Sequence, residues 1–69
     1  MNKNELRAVM AAHGETYDDL AKVVGCTVPT LSDKINEKAP NGFNQKEMIA
    51  IKEHYKLSAK QVDLIFFGR

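Results

Sequence analysis

Five helix starts with no strand signal between them constrain this chain more than any other feature. In Asn2-Lys3-Asn4-Glu5, Thr16-Tyr17-Asp18-Asp19, Asn44-Gln45-Lys46-Glu47 and Ser58-Ala59-Lys60-Gln61, a short polar residue is followed three positions later by an acid or amide. That is the spacing of a capping box, in which each side chain satisfies the other's backbone N–H at the first turn of a helix. The fifth start is Thr27. Its neighbour Pro29 fits a first turn, where a missing N–H costs nothing, and fits nowhere deeper. Apolar residues recur behind the caps at helical spacing. The predicted inner faces are Leu6, Val9 and Met10, with His13 next at the helix end; Leu20, Ala21, Val23 and Val24; Leu31 and Ile35; Met48, Ile49, Ile51 and Tyr55; and Val62, Ile65 and Phe66. Gly14 and Gly25 stand where C-terminal glycine caps belong. The breaker-rich Glu37-Lys38-Ala39-Pro40-Asn41-Gly42 reads as a loop. No segment alternates apolar and polar residues over a strand's length. The expected fold is all-α with five helices.

A chain of 69 residues has room for one domain, 1–69, with a small and efficient core. An apolar fraction of 43% is enough to build that core and argues against disorder. A single cysteine, Cys26, precludes an intramolecular disulfide and points to a reducing compartment. No basic-then-apolar leader opens the sequence, and its longest apolar run, Leu64-Ile65-Phe66-Phe67, is far too short to span a bilayer. The expected location is cytoplasmic. Cys26, His13 and His54 do not form ligand pairs at zinc spacing, and Cys26 is expected to pack as a small residue in a turn. No nucleophile–base pairing, glycine-rich phosphate loop or carboxylate pair stands out. Neither enzymatic activity nor a metal or cofactor is therefore expected. The formal charge of +1 falls short of the strongly basic balance of many nucleic-acid binders. Any contact with DNA has to come from locally placed lysines and backbone amides.

The segment TYDDLAKVVGCTVPTLSDKI, residues 16–35, is the informative one. Only Gly25 and Cys26 plus the Thr27 cap separate its two helices, and so short a connection forces a steep crossing of roughly 90–120°, a helix-turn-helix. Ala21 is small where the helices approach, and Gly25 takes positive φ without a Cβ penalty. Burying Leu31 and Ile35 turns Pro29, Ser32, Asp33 and Asn36 outward, with Thr30 and Glu37 along one edge. A helix presented in this way matches the width of a DNA major groove.

Leu20, Ala21, Gly25 and Thr27 carry the spacing Leu-Ala-x-x-x-Gly-x-Thr, by which the segment resembles the Cro/lambda-repressor-like helix-turn-helix family. The run Thr30-Leu31-Ser32-Asp33-Lys34-Ile35-Asn36, the later Phe43 and the Phe66-Phe67 ending resemble the family's small phage-encoded regulators. One departure is Tyr17, which stands where the family often has Gln. The resemblance implies a five-helix DNA-binding domain, with the helix at about 28–37 as its recognition helix. It also implies a transcriptional regulator in a bacterial host cell that binds a double-stranded operator as a homodimer. Val28, Pro29, Ser32, Asp33 and Asn36 are then the expected base contacts, with Val28 and Pro29 against a thymine methyl, Asp33 accepting from cytosine and Asn36 pairing with adenine. Tyr17, Thr27, Thr30, Lys34, Lys38, Phe43 (through its backbone), Asn44 and Lys46 are the expected phosphate contacts. Phe66 and Phe67 are adjacent on a helix and cannot both enter one small core. Leu64 and Phe67 are therefore the expected dimer contact, the alternative being that Phe67 folds back over the first helix. Asp33 and Glu37 on the exposed face leave a second function open, a protein-binding modulator of another regulator.

Overall fold

The computed structural model describes residues 1–37 and 42–68. Among them are helices α1 (Lys3–Ala12), α2 (Tyr17–Val24), α3 (Val28–Ile35), α4 (Gln45–Tyr55) and α5 (Ala59–Val62), the last running straight into a π-helical turn, Asp63–Phe67. Each predicted start is a real one, and the caps explain why. Asn44 N–H donates to the Glu47 carboxylate at 3.0 Å while Glu47 N–H donates to Asn44 Oδ1 at 2.8 Å. Ser58 and Gln61 make the same reciprocal pair at 3.0 and 3.1 Å. At α2 the Asp19 carboxylate accepts from both the N–H and the hydroxyl of Thr16, at 2.9 and 3.2 Å. The first box is only half made. Asn2 Oδ1 accepts from Glu5 N–H at 3.2 Å, but the Asn2 N–H is spent on the Ile65 carbonyl at 2.7 Å. A tertiary bond has displaced a local one and ties the start of α1 to the π turn.

The core is Leu6, Met10, Leu20, Ala21, Leu31, Ile35, Ile51, Tyr55, Leu57 and Ile65. Each buried Leu or Ile contributes about 1.5–3 kcal/mol through the water it sheds. Helix α2 packs on both α3 and α4, and the π turn packs on α1. Of the predicted inner faces, that of α4 needs correction. Ile51 and Tyr55, one turn apart, are buried, whereas Ile49 is 46% exposed. At about 100° per residue Ile49 lies some 200° from Ile51 and cannot share its face. Leu57 was not expected inside. Lys56 takes a left-handed φ of 54° after α4, which lets Leu57 N–H donate to the Lys52 carbonyl at 2.9 Å and swings the Leu57 side chain into the core.

The two terminal phenylalanines part company. Phe66 is half-buried and meets the Phe43 ring edge-on, with centroids 5.8 Å apart. Phe67 is 64% exposed and borders a cleft with Met48 and Ile49 of α4, so it does not fold over the first helix. Gly68 ends the turn because a Cβ there would run into the Leu64 carbonyl. Among the described residues no helix is long and apolar enough to cross a membrane.

Core packing and backbone conformation separate by mutation. Leu31→Ala removes a fully buried side chain and is expected to cost about 2–5 kcal/mol in urea unfolding. Gly25→Ala meets no atom within 4 Å but must hold φ at 84°, so it is expected to cost only about 1–2 kcal/mol. An equal loss for both would mean that the turn is limited by packing and not by backbone strain.

Candidate nucleic-acid interface

The turn that presents α3 is built from three residues. Gly25 closes α2 in the left-handed region (φ 84°, ψ 35°), its N–H and that of Cys26 both donating to the Ala21 carbonyl, at 2.8 and 3.0 Å. Thr27 then opens α3 in extended conformation, with Pro29 in the first turn. Thr27 does not cap through its side chain; its hydroxyl donates to Thr30 Oγ1 at 3.0 Å. Cys26 is half-buried against the core, as a small turn residue should be.

Leu31 and Ile35 set the rotation of α3 and so decide what it offers. Pro29, Thr30 and Asp33 are exposed, and Ser32 and Asn36 are half-buried. Val28 lies about 60° from Leu31 around the helix and packs partly against the core, so little of its side chain is left for a base. Asn36 is the C-terminal cap of α3. Its amide donates to the Ser32 carbonyl at 2.9 Å and to the Ser32 hydroxyl at 3.3 Å, and its oxygen accepts from Lys3 Nζ at 3.3 Å. Both ends of Asn36 and the Ser32 hydroxyl are thus engaged within the chain and would have to exchange partners to meet a base. Asp33 has no partner among the described residues and lies opposite the buried stripe.

Lys34 departs from expectation. Its ammonium does not face outward to a phosphate but donates to both Glu47 carboxylate oxygens at 2.9 and 3.0 Å and to the Gly42 carbonyl at 3.2 Å, 5.9 Å from the Phe43 ring centroid. Only 17% of the Lys34 side chain and 14% of that of Glu47 is accessible, so the pair is largely withdrawn from water. Burial pushes the Glu47 carboxyl up. The Asn44 N–H and the Lys34 ammonium outweigh it and hold the group below its ordinary value. The pair joins α3 to α4, and the ammonium is engaged within the chain.

The remaining expected contacts are spread around this node. Lys46 and Asn44 are exposed at the start of α4, Asn44 with its oxygen committed to the cap, and Phe43 is half-buried beside them. Tyr17 opens α2, half-buried, and its hydroxyl accepts from Arg7 Nε at 3.0 Å. Lys38 lies outside the described residues. Leu64 and Phe67, 43% and 64% exposed, sit at the far end of the chain.

Sequence reading missed two clusters. One is Arg7 with Tyr17. The Leu6 and Met10 stripe puts Arg7 on the open side of α1, but nothing local reveals that this side borders α2. The other is Glu15 with His54, whose Nε2 is 2.9 Å from the carboxylate. The His54 hydrogen bond, then Tyr55, hold Glu15 below the usual carboxylate range. The buried Tyr55 hydroxyl is pushed well up, first by burial and then by Glu15, yet makes no geometrically complete hydrogen bond. His13 caps α1 and rests its ring 5.0 Å from that of Tyr55.

The profile of the Cro/C1-type HTH DNA-binding domain matches residues 5–58, from the first helix through the start of α5. The chain belongs to that family. Comparison with curated proteins and with solved structures found no match. This Cro/C1-type domain is a DNA-binding domain of the regulator kind, with α2 and α3 as its helix-turn-helix and α4 braced against α3 by Lys34 and Glu47.

In this Cro/C1-type domain the brace has a measurable pH signature. A carboxyl lowered by folding stabilises fully above its unfolded value of about 4.5, and that contribution is lost as pH falls through the lower folded value. Lys34→Met strands a half-buried Glu47 and is expected to cost about 1–3 kcal/mol near neutral pH. It should also flatten the acid limb of stability against pH, because the folded carboxyl then titrates nearer its unfolded value. Urea midpoints across the acid range check both. A variant as stable as wild type would mean that the pair contributes nothing net.

Proposed function

We propose that the chain is a sequence-specific transcriptional regulator that sets α3 into the major groove of an operator and acts as a homodimer on two half-sites. The observation that carries this reading is the presentation of α3 in a Cro/C1-type domain, with Leu31 and Ile35 inward and Pro29, Thr30 and Asp33 outward. Asp33, central on the face, accepts from cytosine N4, and Pro29 rests on a thymine methyl. Ser32 and Asn36 join the readout by exchanging their internal bonds for base edges. Tyr17, Thr27, Thr30, Asn44, Lys46, Lys38 and the Phe43 backbone meet the phosphates. A carboxylate at the centre of the face repels the DNA backbone. Affinity for random sequence is thereby held down, and discrimination rises where Asp33 finds its cytosine. Repression in the cytoplasm of a bacterial host, from a phage-borne gene, is the setting that fits such a domain.

Salt titration on duplex DNA tests the backbone part, since each neutralised phosphate releases counterions. Lys46→Ala is expected to weaken binding on all sequences alike and to reduce the salt slope by roughly one. Asp33→Ala is expected to relax preference at one base pair, worth about 1–3 kcal/mol of discrimination. Uniform tightening on every sequence would instead make Asp33 a repulsive group with no base to read.

One recognition helix covers only a few base pairs, so half-sites one turn apart, about 34 Å, require two copies. Leu64 and Phe67 are the proposed contact, extended by Ile49 across the cleft that Phe67 borders. Phe67→Ser is expected to abolish cooperative binding to paired half-sites while sparing half-site affinity, followed by sedimentation alongside operator titration. Unchanged mass and cooperativity would place the dimer contact elsewhere. The same exposed apolar residues favour one second reading, a modulator that docks on another regulator; absence of any DNA binding together with retained fold would select it.

A further inference from the structure

On the DNA-binding reading above, we infer that Arg7 of α1 and Tyr17 of α2 form a two-residue clamp for one phosphodiester of the DNA backbone. Leu6 and Met10 bury one side of α1 and leave Arg7 exposed on the other. Its Nε donates to the Tyr17 hydroxyl at 3.0 Å, which ties the guanidinium to the Tyr17 ring through one nitrogen and leaves its two NH2 groups for other acceptors. Among the described residues neither NH2 group has a protein acceptor. Tyr17 accepts through its oxygen, so its own proton is free to donate beside them. The pair therefore offers a fork of N–H donors plus one O–H donor, held together before any ligand arrives.

Of the acids around this corner, Asp18 is exposed beside Tyr17, and the other two are already occupied. Asp19 is turned back on Thr16 at 2.9 and 3.2 Å, and Glu15 is taken by His54 at 2.9 Å. Neither competes for Arg7. Arg7, Met10, Ala11, Glu15, Thr16 and Tyr17 line a shallow open depression, so an anion can approach from solvent. A planar fork and a hydroxyl suit the two non-bridging oxygens of a phosphodiester, with Arg supplying geometry that a lysine point charge lacks. Tyr17 begins α2 and the turn into α3 ends it, so the clamp stands about 12 Å along α2 from that turn. At that distance it grips backbone flanking the base pairs that α3 covers. It adds a cation to a protein whose α3 exposes none of its own among the described residues, with Lys3 standing at the Asn36 end.

The test uses the whole chain and a labelled random-sequence duplex, with anisotropy read over a salt series. Arg7→Ala is expected to weaken binding about tenfold and to reduce the salt slope by roughly one. Tyr17→Phe keeps the ring, loses the hydroxyl and is expected to cost about threefold. In the double variant the Tyr17 effect should vanish, because the fork that it orients is gone. Arg7→Lys should restore the slope but not the coupling to Tyr17. Arg7 is exposed and Tyr17→Phe keeps the half-buried ring, so thermal unfolding should not change; if Arg7→Ala proves unstable, Arg7→Gln removes the charge with less loss of side chain and takes its place. Unchanged affinity and slope in the Arg7 variants, with Lys46→Ala still lowering both, overturns the clamp and leaves DNA binding standing. Additive effects of the two substitutions overturn the pairing. Displacement of the duplex by inorganic phosphate beyond that by chloride at equal ionic strength would mark a free-anion site and also overturn the proposal. A wild-type chain that does not bind the duplex overturns the clamp and the function together.

Discussion

Everything this domain presents to a partner depends on the burial of two side chains, Leu31 and Ile35. Fully withdrawn from water in the same core as Leu20 and Ala21, they leave α3 a single rotation about its axis. Rotation matters more than position here, because a helix of eight residues has only two turns in which to display a face. With those two residues inside, Asp33 and Pro29 can only point outward, and Val28 is drawn partly inward. The Gly25 turn supports the arrangement by bringing α3 back across α2 without a side chain to strain.

The second constraint is electrostatic. A lysine in the last turn of α3 would ordinarily be the natural cation for a nearby phosphate. Here Lys34 reaches Glu47, which is also the reciprocal cap of α4. One carboxylate thus ends up serving two tasks, closing the first turn of α4 and neutralising α3. The consequence for function is subtractive. Among the described residues α3 keeps its acid and exposes no lysine of its own, and positive charge lies at its margins, on Lys3 beside Asn36, on Lys46 and on Arg7 beside Tyr17. A protein with a formal charge of +1 has little general attraction to DNA, so where its few free cations stand matters more than how many it has.

The helices and their starts were largely legible in the sequence, because capping is a local matter between residues three apart. Asn44 with Glu47 and Ser58 with Gln61 form as their spacing implied. The core of α2 and α3 was legible for a similar reason, since helical periodicity is a property of neighbours. Errors arose where a decision was not local. Ile49 looked like a core residue beside Ile51, but α4 can turn only one face inward. Lys34 looked like a free cation because its partner is far along the chain. Asn36 and Ser32 are still proposed as base readers, but they first satisfy the end of their own helix through a local bond four residues apart.

What the sequence by itself determined is the set of helices, the three-residue turn between α2 and α3, and the outward stripe of α3. All of these follow from short-range hydrogen bonding and from the period of a helix. What only the tertiary structure decided is which charges remain free. Glu47 meets Lys34, His54 meets Glu15 and Arg7 meets Tyr17 only because separate helices are packed side by side. Likewise, only packing separates Phe66, held against Phe43, from Phe67, left in water. Long side chains choose partners by reach across space, and reach across space is not written in the spacing of residues along a chain.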